Sequence, residues 1–182
     1  MKRSAASPLK LCLFALAIFC GSQPASAHSP ESVLISTSQG VIRLKLYPAQ
    51  APQTVAHFVS LAQKGFYNGL SFFRAVPELL IQGGDPSGTG LGGLAYVMPD
   101  EISQTLHANR PGMVALANHG PGTSGSQFFI TLRETPWLEG KYNFFAEVTS
   151  GLEVAKKIEA GDKIIAIRTE PAAKKTSART RH

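Results

Sequence analysis

Phe72-Phe73-Arg74-Ala75-Val76-Pro77-Glu78-Leu79-Leu80-Ile81-Gln82-Gly83-Gly84-Asp85 and Ala117-Asn118-His119-Gly120-Pro121-Gly122-Thr123-Ser124-Gly125-Ser126-Gln127-Phe128-Phe129-Ile130 are the two stretches whose reading decides this chain. Each joins a strand-like apolar run to a glycine-rich turn. Each also carries polar side chains foreign to a plain core strand: Arg74, Gln82 and Gln127. An arginine and two glutamines set among phenylalanines and leucines describe a partly apolar groove with a few aimed hydrogen-bond donors. That is the composition of a site for a peptide or a small molecule.

Working outward, Val33-Leu34-Ile35 and Val41 to Leu46 flank a Ser38-Gln39-Gly40 turn, and the second run alternates at Arg43 and Lys45. This pattern predicts a β-hairpin with one wet face. Pro52 opens a helix over about Pro52–Lys64. Val55, Phe58, Val59 and Ala62 recur on one face of it, and Gly65 stops it. Further strands are expected at Leu70–Ala75, Glu78–Gln82, Gly112–Ala117, Gln127–Leu132, Asn143–Thr149 and Lys163–Thr169, with a second helix over Leu152–Ala160. Many short strands with turn punctuation, and two helices far apart in the chain, argue an antiparallel barrel or sandwich. The chain shows neither an internal repeat nor a second domain.

The ends read differently from the middle. Lys2, Arg3 and Lys10 make a positive start, Leu11–Phe19 a short apolar run, and Ala25-Ser26-Ala27 an A-x-A cleavage site. Residues 1–27 are therefore expected to be a secretory signal peptide. The apolar run is too short to span a bilayer, which takes roughly 20 residues, so no stable membrane insertion is expected. Both cysteines, Cys12 and Cys20, fall in this leader, which leaves the mature chain without thiol chemistry or disulfides. The net charge of +6 also misleads, because residues 28–170 hold 11 of the 18 basic side chains and all 12 acidic ones, a net of −1. The excess base lies in the leader and in residues 171–182, which read as a disordered tail. A nucleic-acid face is not indicated.

Several familiar patterns fail on their context. Gly88-Thr89-Gly90-Leu91-Gly92-Gly93 contains G-x-G-x-x-G, but no helical pattern follows before Pro99, so a tight structural loop is preferred over a dinucleotide site. Gly120–Gly125 lacks the lysine of a phosphate loop. His57, His107 and His119 have no metal-ligand spacing, and Ser124 and Ser126 sit in no nucleophile elbow. From spacing alone, Arg74 reads as one half of a salt bridge with Asp85 or Glu78, and Phe129 reads as core.

The ordered set FxR…IQGGDP, GTG, ANxGPxTxGSQFFI and WLxGKY with a nearby Phe, spread over about Val33–Ile167, resembles the cyclophilins, a family of peptidyl-prolyl cis-trans isomerases. The resemblance implies a mainly β fold: a closed eight-stranded antiparallel β-barrel capped by two α-helices, with the site in a groove on its outer face. It implies Arg74 as the catalytic donor, oriented by Gln82. It places Phe129, Leu79, Leu80 and Leu138 around a proline pocket, the Asn118 backbone against the substrate chain, and Gln127, Trp137 and Tyr142 along the groove. Leu79 and Tyr142 stand where many members have Phe and His, and Phe73 replaces a common His. The implied partners are proline-containing polypeptides, and Trp137 adds cyclosporin as a ligand. A monomer is implied, with no metal and no cofactor. With the leader, the expectation is a periplasmic enzyme acting on exported proteins: signal peptide 1–27, isomerase domain 28–170, basic tail 171–182.

Overall fold

The computed structural model describes residues 30–93 and 97–170. The expected signal peptide and basic tail lie outside the described residues. The chain forms β1 (Ser32–Thr37), β2 (Gly40–Leu46), α1 (Pro52–Gln63), β3 (Phe72–Val76), β4 (Leu80–Gly83), β5 (Met113–Leu116), β6 (Phe128–Thr131), a 3-10 turn (Pro136–Leu138), β7 (Asn143–Ser150), α2 (Leu152–Ala155) and β8 (Ile164–Glu170). All pairings are antiparallel, in the order β3-β4-β6-β5-β7-β2-β1-β8. The expected hairpin is β1–β2, closed by Ser38 and Gln39 with Thr37 opposite Gly40. On β2, Ile42, Leu44 and Leu46 are buried while Val41, Arg43 and Lys45 face water.

The expected closed barrel is corrected to a curled sheet whose ladder stays open. β3 and β8 end the pairing order, and no ladder joins them. Between them lies one isolated bridge, Ser71 to Lys163, with the Gly69, Phe72 and Ile164 amides donating to carbonyls across the gap. The chain at each edge leaves extended geometry there: Gly65 and Gly69 turn before β3, and Gly161 turns before β8.

Helix α1 spans the predicted length and buries Thr54, Val55, Phe58, Val59, Leu61 and Ala62. Its Phe58 ring meets Tyr67, Phe128 and Phe145 at centroid distances of 5.3, 5.5 and 4.9 Å. The first-turn amides have no intrahelical partner. Glu101 supplies one from a distant loop, its carboxylate accepting from Gln53 and Thr54. Helix α2 is shorter than the Leu152–Ala160 expected. After Ala155 the hydrogen bonds tighten to three-residue spacing, with Lys157 donating to Val154 and Ile158 to Ala155. The Asp162 carboxylate then takes the Glu159 amide. A side-chain acceptor for that amide competes with the helix, and Ile158 still reaches the core.

Two apolar clusters result. The larger lies inside the curl and includes Ile42, Leu44, Phe58, Phe72, Ile81, Phe128 and Phe145. The smaller lies on the outer face of β4, β5, β6 and β7 and includes Leu80, Met113, Ala115, Phe129 and Phe144. Successive residues alternate between them, as Leu80/Ile81, Val114/Ala115, Phe128/Phe129 and Phe144/Phe145 show. The four strands are thus covered on both faces, so their sequences run almost continuously apolar instead of alternating.

The β3–β4 turn brings the smaller cluster to the surface. Leu79 donates to the Val76 carbonyl at 3.0 Å, Pro77 sits second, and Glu78 third with φ of +58°. That is the form of a type II turn, whose third position favours glycine. An L side chain in the left-handed region costs ~1–2 kcal/mol, partly offset by its smaller freedom in the unfolded chain. Glu78→Gly is expected to raise unfolding stability by about 0.5–1 kcal/mol, read as a shift in the urea midpoint at unchanged slope. An unchanged or lower midpoint would mean that the Glu78 side chain makes stabilising contacts that outweigh the strain.

Candidate active site

The outer cluster ends in a row that crosses five strands. Arg74 pairs with Gln82, Gln82 with Phe129, Phe129 with Ala115, and Ala115 with Phe144. Paired residues point to the same face, so the register sets an arginine, a glutamine and two aromatic rings in line on the outside of the sheet. Arg74 reaches this row through an irregularity. Phe72 pairs with Gly83 but Arg74 pairs with Gln82, so Phe73 is an extra residue. Without this β-bulge, Phe72 and Arg74 would share a face. The bulge leaves Phe72 fully buried in the inner core while Arg74 stands exposed beside Gln82.

A groove of about 340 Å³ lies over the row. It is lined by Arg74, Leu79, Leu80, Gln82, Ala117, Asn118, His119, Phe129, Trp137, Leu138 and Tyr142. Nine of the ten residues singled out from the sequence therefore meet in one place. The tenth, Gln127, lines an adjoining groove of about 600 Å³ that shares Ala117 and His119 with the first. Phe129 is 3% exposed and forms the floor. Tyr142 and Phe144 stand edge-on to it at 5.2 and 6.0 Å. Trp137, carried on the 3-10 turn, is half exposed at the rim. The Asn118 side chain is committed to structure: its Nδ2 donates to the Lys141 carbonyl at 2.8 Å and its Oδ1 accepts from Gly120.

Arg74 makes neither of the salt bridges its spacing allowed. Its Nη1 donates to Gln82 Oε1 at 3.4 Å. Gln82 Nε2 donates to Gln127 Oε1 at 3.0 Å, and Gln127 Nε2 donates to the carbonyls of Gly90 and Gly92 at 3.1 and 2.6 Å. A chain of neutral amides thus runs from the guanidinium to the glycine loop. Asp85 is used elsewhere. It is 1% exposed, and its carboxylate accepts from the backbone amides of Ser87, Thr89, Gly90 and Gly92 and from the Ser87 hydroxyl. The amides that a G-x-G-x-x-G loop would offer a phosphate are therefore occupied by an internal anion, and a Cβ on Gly92 would collide with that carboxylate. Sequence reasoning missed this cage and the place of His119. An Asp two residues before Ser in Asp85-Pro86-Ser87-Gly88 is a side-chain turn signal that points to the cage.

A model of the cyclophilin type peptidyl-prolyl cis-trans isomerase family matches residues 32–177. The chain belongs to that family. It is a cyclophilin-type enzyme, and its relatives bear the same description. A peptidyl-prolyl cis-trans isomerase-like 1 protein of Rhizopus delemar is 43% identical over 146 residues, 76% of this chain and 88% of that protein. A crystal structure of a Cryptosporidium parvum cyclophilin type peptidyl-prolyl cis-trans isomerase matches with a TM-score of 0.74 at 30% identity, covering 79% of this chain and 99% of that one. The same protein in the presence of the dipeptide Ala-Pro gives 0.72 at 31% identity, covering 76% and 98%. The fold is therefore mainly β and cyclophilin-like, with two helices.

The Asp85 cage has a measurable titration. Burial pushes the carboxyl up, but the donors of Ser87, Gly90 and Gly92 outweigh burial and hold it below the usual carboxylate range. A group depressed in the folded state stabilises fully above its unfolded value, about 3.9, and loses that contribution as pH falls through the folded value. Asp85→Asn replaces an acceptor by a donor facing N–H groups, and it is expected to cost about 1–3 kcal/mol at pH 7. The variant's stability is also expected to fall less steeply than the parent's below about pH 4. Parallel acid profiles in urea unfolding would remove Asp85 as the origin of the slope.

Proposed function

We propose that the chain accelerates X-Pro isomerisation by gripping the proline ring over Phe129 while Arg74 stabilises the twisted amide. The observation that carries this reading is the placement of an exposed guanidinium, without an ion-pair partner among the described residues, in the same strand row as a buried aromatic floor. The peptide C–N bond resists rotation by ~18–20 kcal/mol because of its partial double-bond character. For X-Pro the two planar forms lie within about 1 kcal/mol, so only the rate needs help. At the twisted state resonance is lost, and the proline nitrogen regains its lone pair. A fixed N–H donor near that nitrogen then binds the twisted form better than either planar one, which is the condition for catalysis.

Each residue has a part. Phe129, Leu79, Leu80 and Leu138 enclose the ring and exclude water, which strengthens the field of Arg74. Gln82 holds one nitrogen of the guanidinium, and the remaining donors face the groove. The Asn118 backbone is offered to the substrate chain because its side chain is tied to Lys141. Trp137 and Tyr142 wall the groove. No bond is made or broken, so none of these residues acts as a nucleophile. Substrates are proline-containing polypeptides, in keeping with the dipeptide Ala-Pro used with the Cryptosporidium parvum protein. Arg74→Ala is expected to lower kcat/KM on a short X-Pro peptide by about 10²–10³-fold, with Arg74→Lys falling between. Exchange NMR reads the rate directly. A folded Arg74→Ala variant with parental turnover would exclude the arginine mechanism.

We also propose that the enzyme works on exported proteins of a bacterial envelope. The relatives named above come from Rhizopus delemar and Cryptosporidium parvum, so this reading rests on the leader alone. Its positive start, its short apolar run and Ala25-Ser26-Ala27 are the support. Expressed from its own Met1 in a Gram-negative host, the chain is expected in the osmotic-shock fraction with His28 as its first residue by terminal sequencing. Recovery of the uncleaved chain from the cytoplasm would refute export.

A further inference from the structure

The prolyl groove does not end at Trp137. Beyond it lies a groove of about 580 Å³ lined by Pro77, Glu78, Leu132, Arg133 and Lys156. The two share no lining residue but are neighbours at two points. Glu78 adjoins Leu79 on the β3–β4 turn, and the Arg133 guanidinium lies over the Trp137 ring, 5.7 Å from its centroid. Leu132 gives this groove a buried apolar base, while Pro77, Glu78, Arg133 and Lys156 are exposed.

The charges on its rim are not equivalent. Lys156 is paired with Glu153 at 2.8 Å. Glu78 makes no ion pair with Arg133 among the described residues. Arg133 is therefore a cation with no carboxylate partner, and stacking on an aromatic face limits the orientations that its donor fork can take. An extended chain rises about 3.3 Å per residue, so residues beyond the proline's immediate neighbours are the ones that can reach past the Trp137 rim.

We infer that this groove holds the continuation of the substrate chain, and that Arg133 selects an acidic side chain there. The inference rests on the prolyl groove binding polypeptide as proposed above. Arg133 is then a specificity-determining residue that acts on binding, remote from the rotating bond. The nearness of the two grooves at Arg133 and Trp137 supplies the path, and the guanidinium without an ion pair among the described residues supplies the preference for a carboxylate.

The test uses short Ala-Pro peptides in which a glutamate, or a glutamine as its neutral match, is walked outward from the proline on either side. Affinity and exchange rate are both measured with the full chain. At one position, two or more residues from the proline, glutamate is expected to exceed glutamine by about two- to fivefold in affinity and in kcat/KM, the range of an exposed ion pair. The ratio should fall to about one in Arg133→Ala, invert in favour of glutamine in Arg133→Glu, and shrink in ~1 M salt. Arg133 is exposed, so these replacements leave no buried gap. A parental ratio of one at every position, or a preference that survives in Arg133→Ala, would overturn the inference. A parent that binds the peptides yet turns none over would instead overturn the catalytic reading, and the affinity ratio would still decide this one.

Discussion

The double burial of four short strands is the constraint from which the rest follows. β4, β5, β6 and β7 each place one set of side chains in the inner core and the next in the outer cluster beneath the groove. A slip of one residue in any of them would exchange the two sets. Phe129 would then enter a core already filled by Phe128, whose ring packs among Phe58, Tyr67 and Phe72. The register is therefore fixed by packing on both sides, and the row from Arg74 to Phe144 inherits that precision. Fully burying a large apolar side chain is worth roughly 1.5–3 kcal/mol, so a misplaced register in one strand forfeits several such terms together.

On this rigid row the arginine is held without being neutralised. A carboxylate partner would orient Arg74 well and would also cancel much of its field. Gln82 orients it with a neutral amide instead, and Gln127 fixes Gln82 by bonding to the loop carbonyls of Gly90 and Gly92. Asp85, the acid that closes the motif, is sequestered. Its charge is spread over backbone N–H groups of the same loop, which makes that loop a stiff anchor for the far end of the amide chain. The glycine at 92 is required by this arrangement, since a side chain there would push the carboxylate from its cage.

Much of this was legible in the residues, and the limits have physical reasons. The β1–β2 hairpin and α1 were readable because each has one wet face and one dry, so periodicity shows. The residues of the groove were readable from their resemblance to cyclophilin motifs, and nine of ten converge. Gln127 was expected along the same groove, but it lines the adjoining one and bonds to Gln82, because its side chain is drawn to the loop carbonyls. The bulge at Phe73 was not legible, since an extra residue changes parity without changing composition. Nor was the early end of α2, which depends on Asp162 capturing the Glu159 amide from across a turn. The open ladder between β3 and β8 is likewise a matter of where edges part, and short apolar runs do not encode that.

A catalyst of rotation faces a demand that bond-making enzymes do not. Its substrate must be gripped on one side of a bond and left free to turn on the other, so a groove complementary along its whole length would trap a planar form. In the mechanism proposed above, the outer groove answers with unequal walls. The ring side is rigid and apolar, with Phe129 3% exposed and braced edge-on by Tyr142 and Phe144. Outside the ring pocket and the Arg74 donor, the contacts lie at exposed side chains: His119 on the lip and Trp137 at the rim. Exposed contacts are individually weak and are screened by water and salt. They can register which polypeptide is present without holding it in a single conformation, so selectivity can be added at the rim while the turning of the amide over Phe129 stays unhindered.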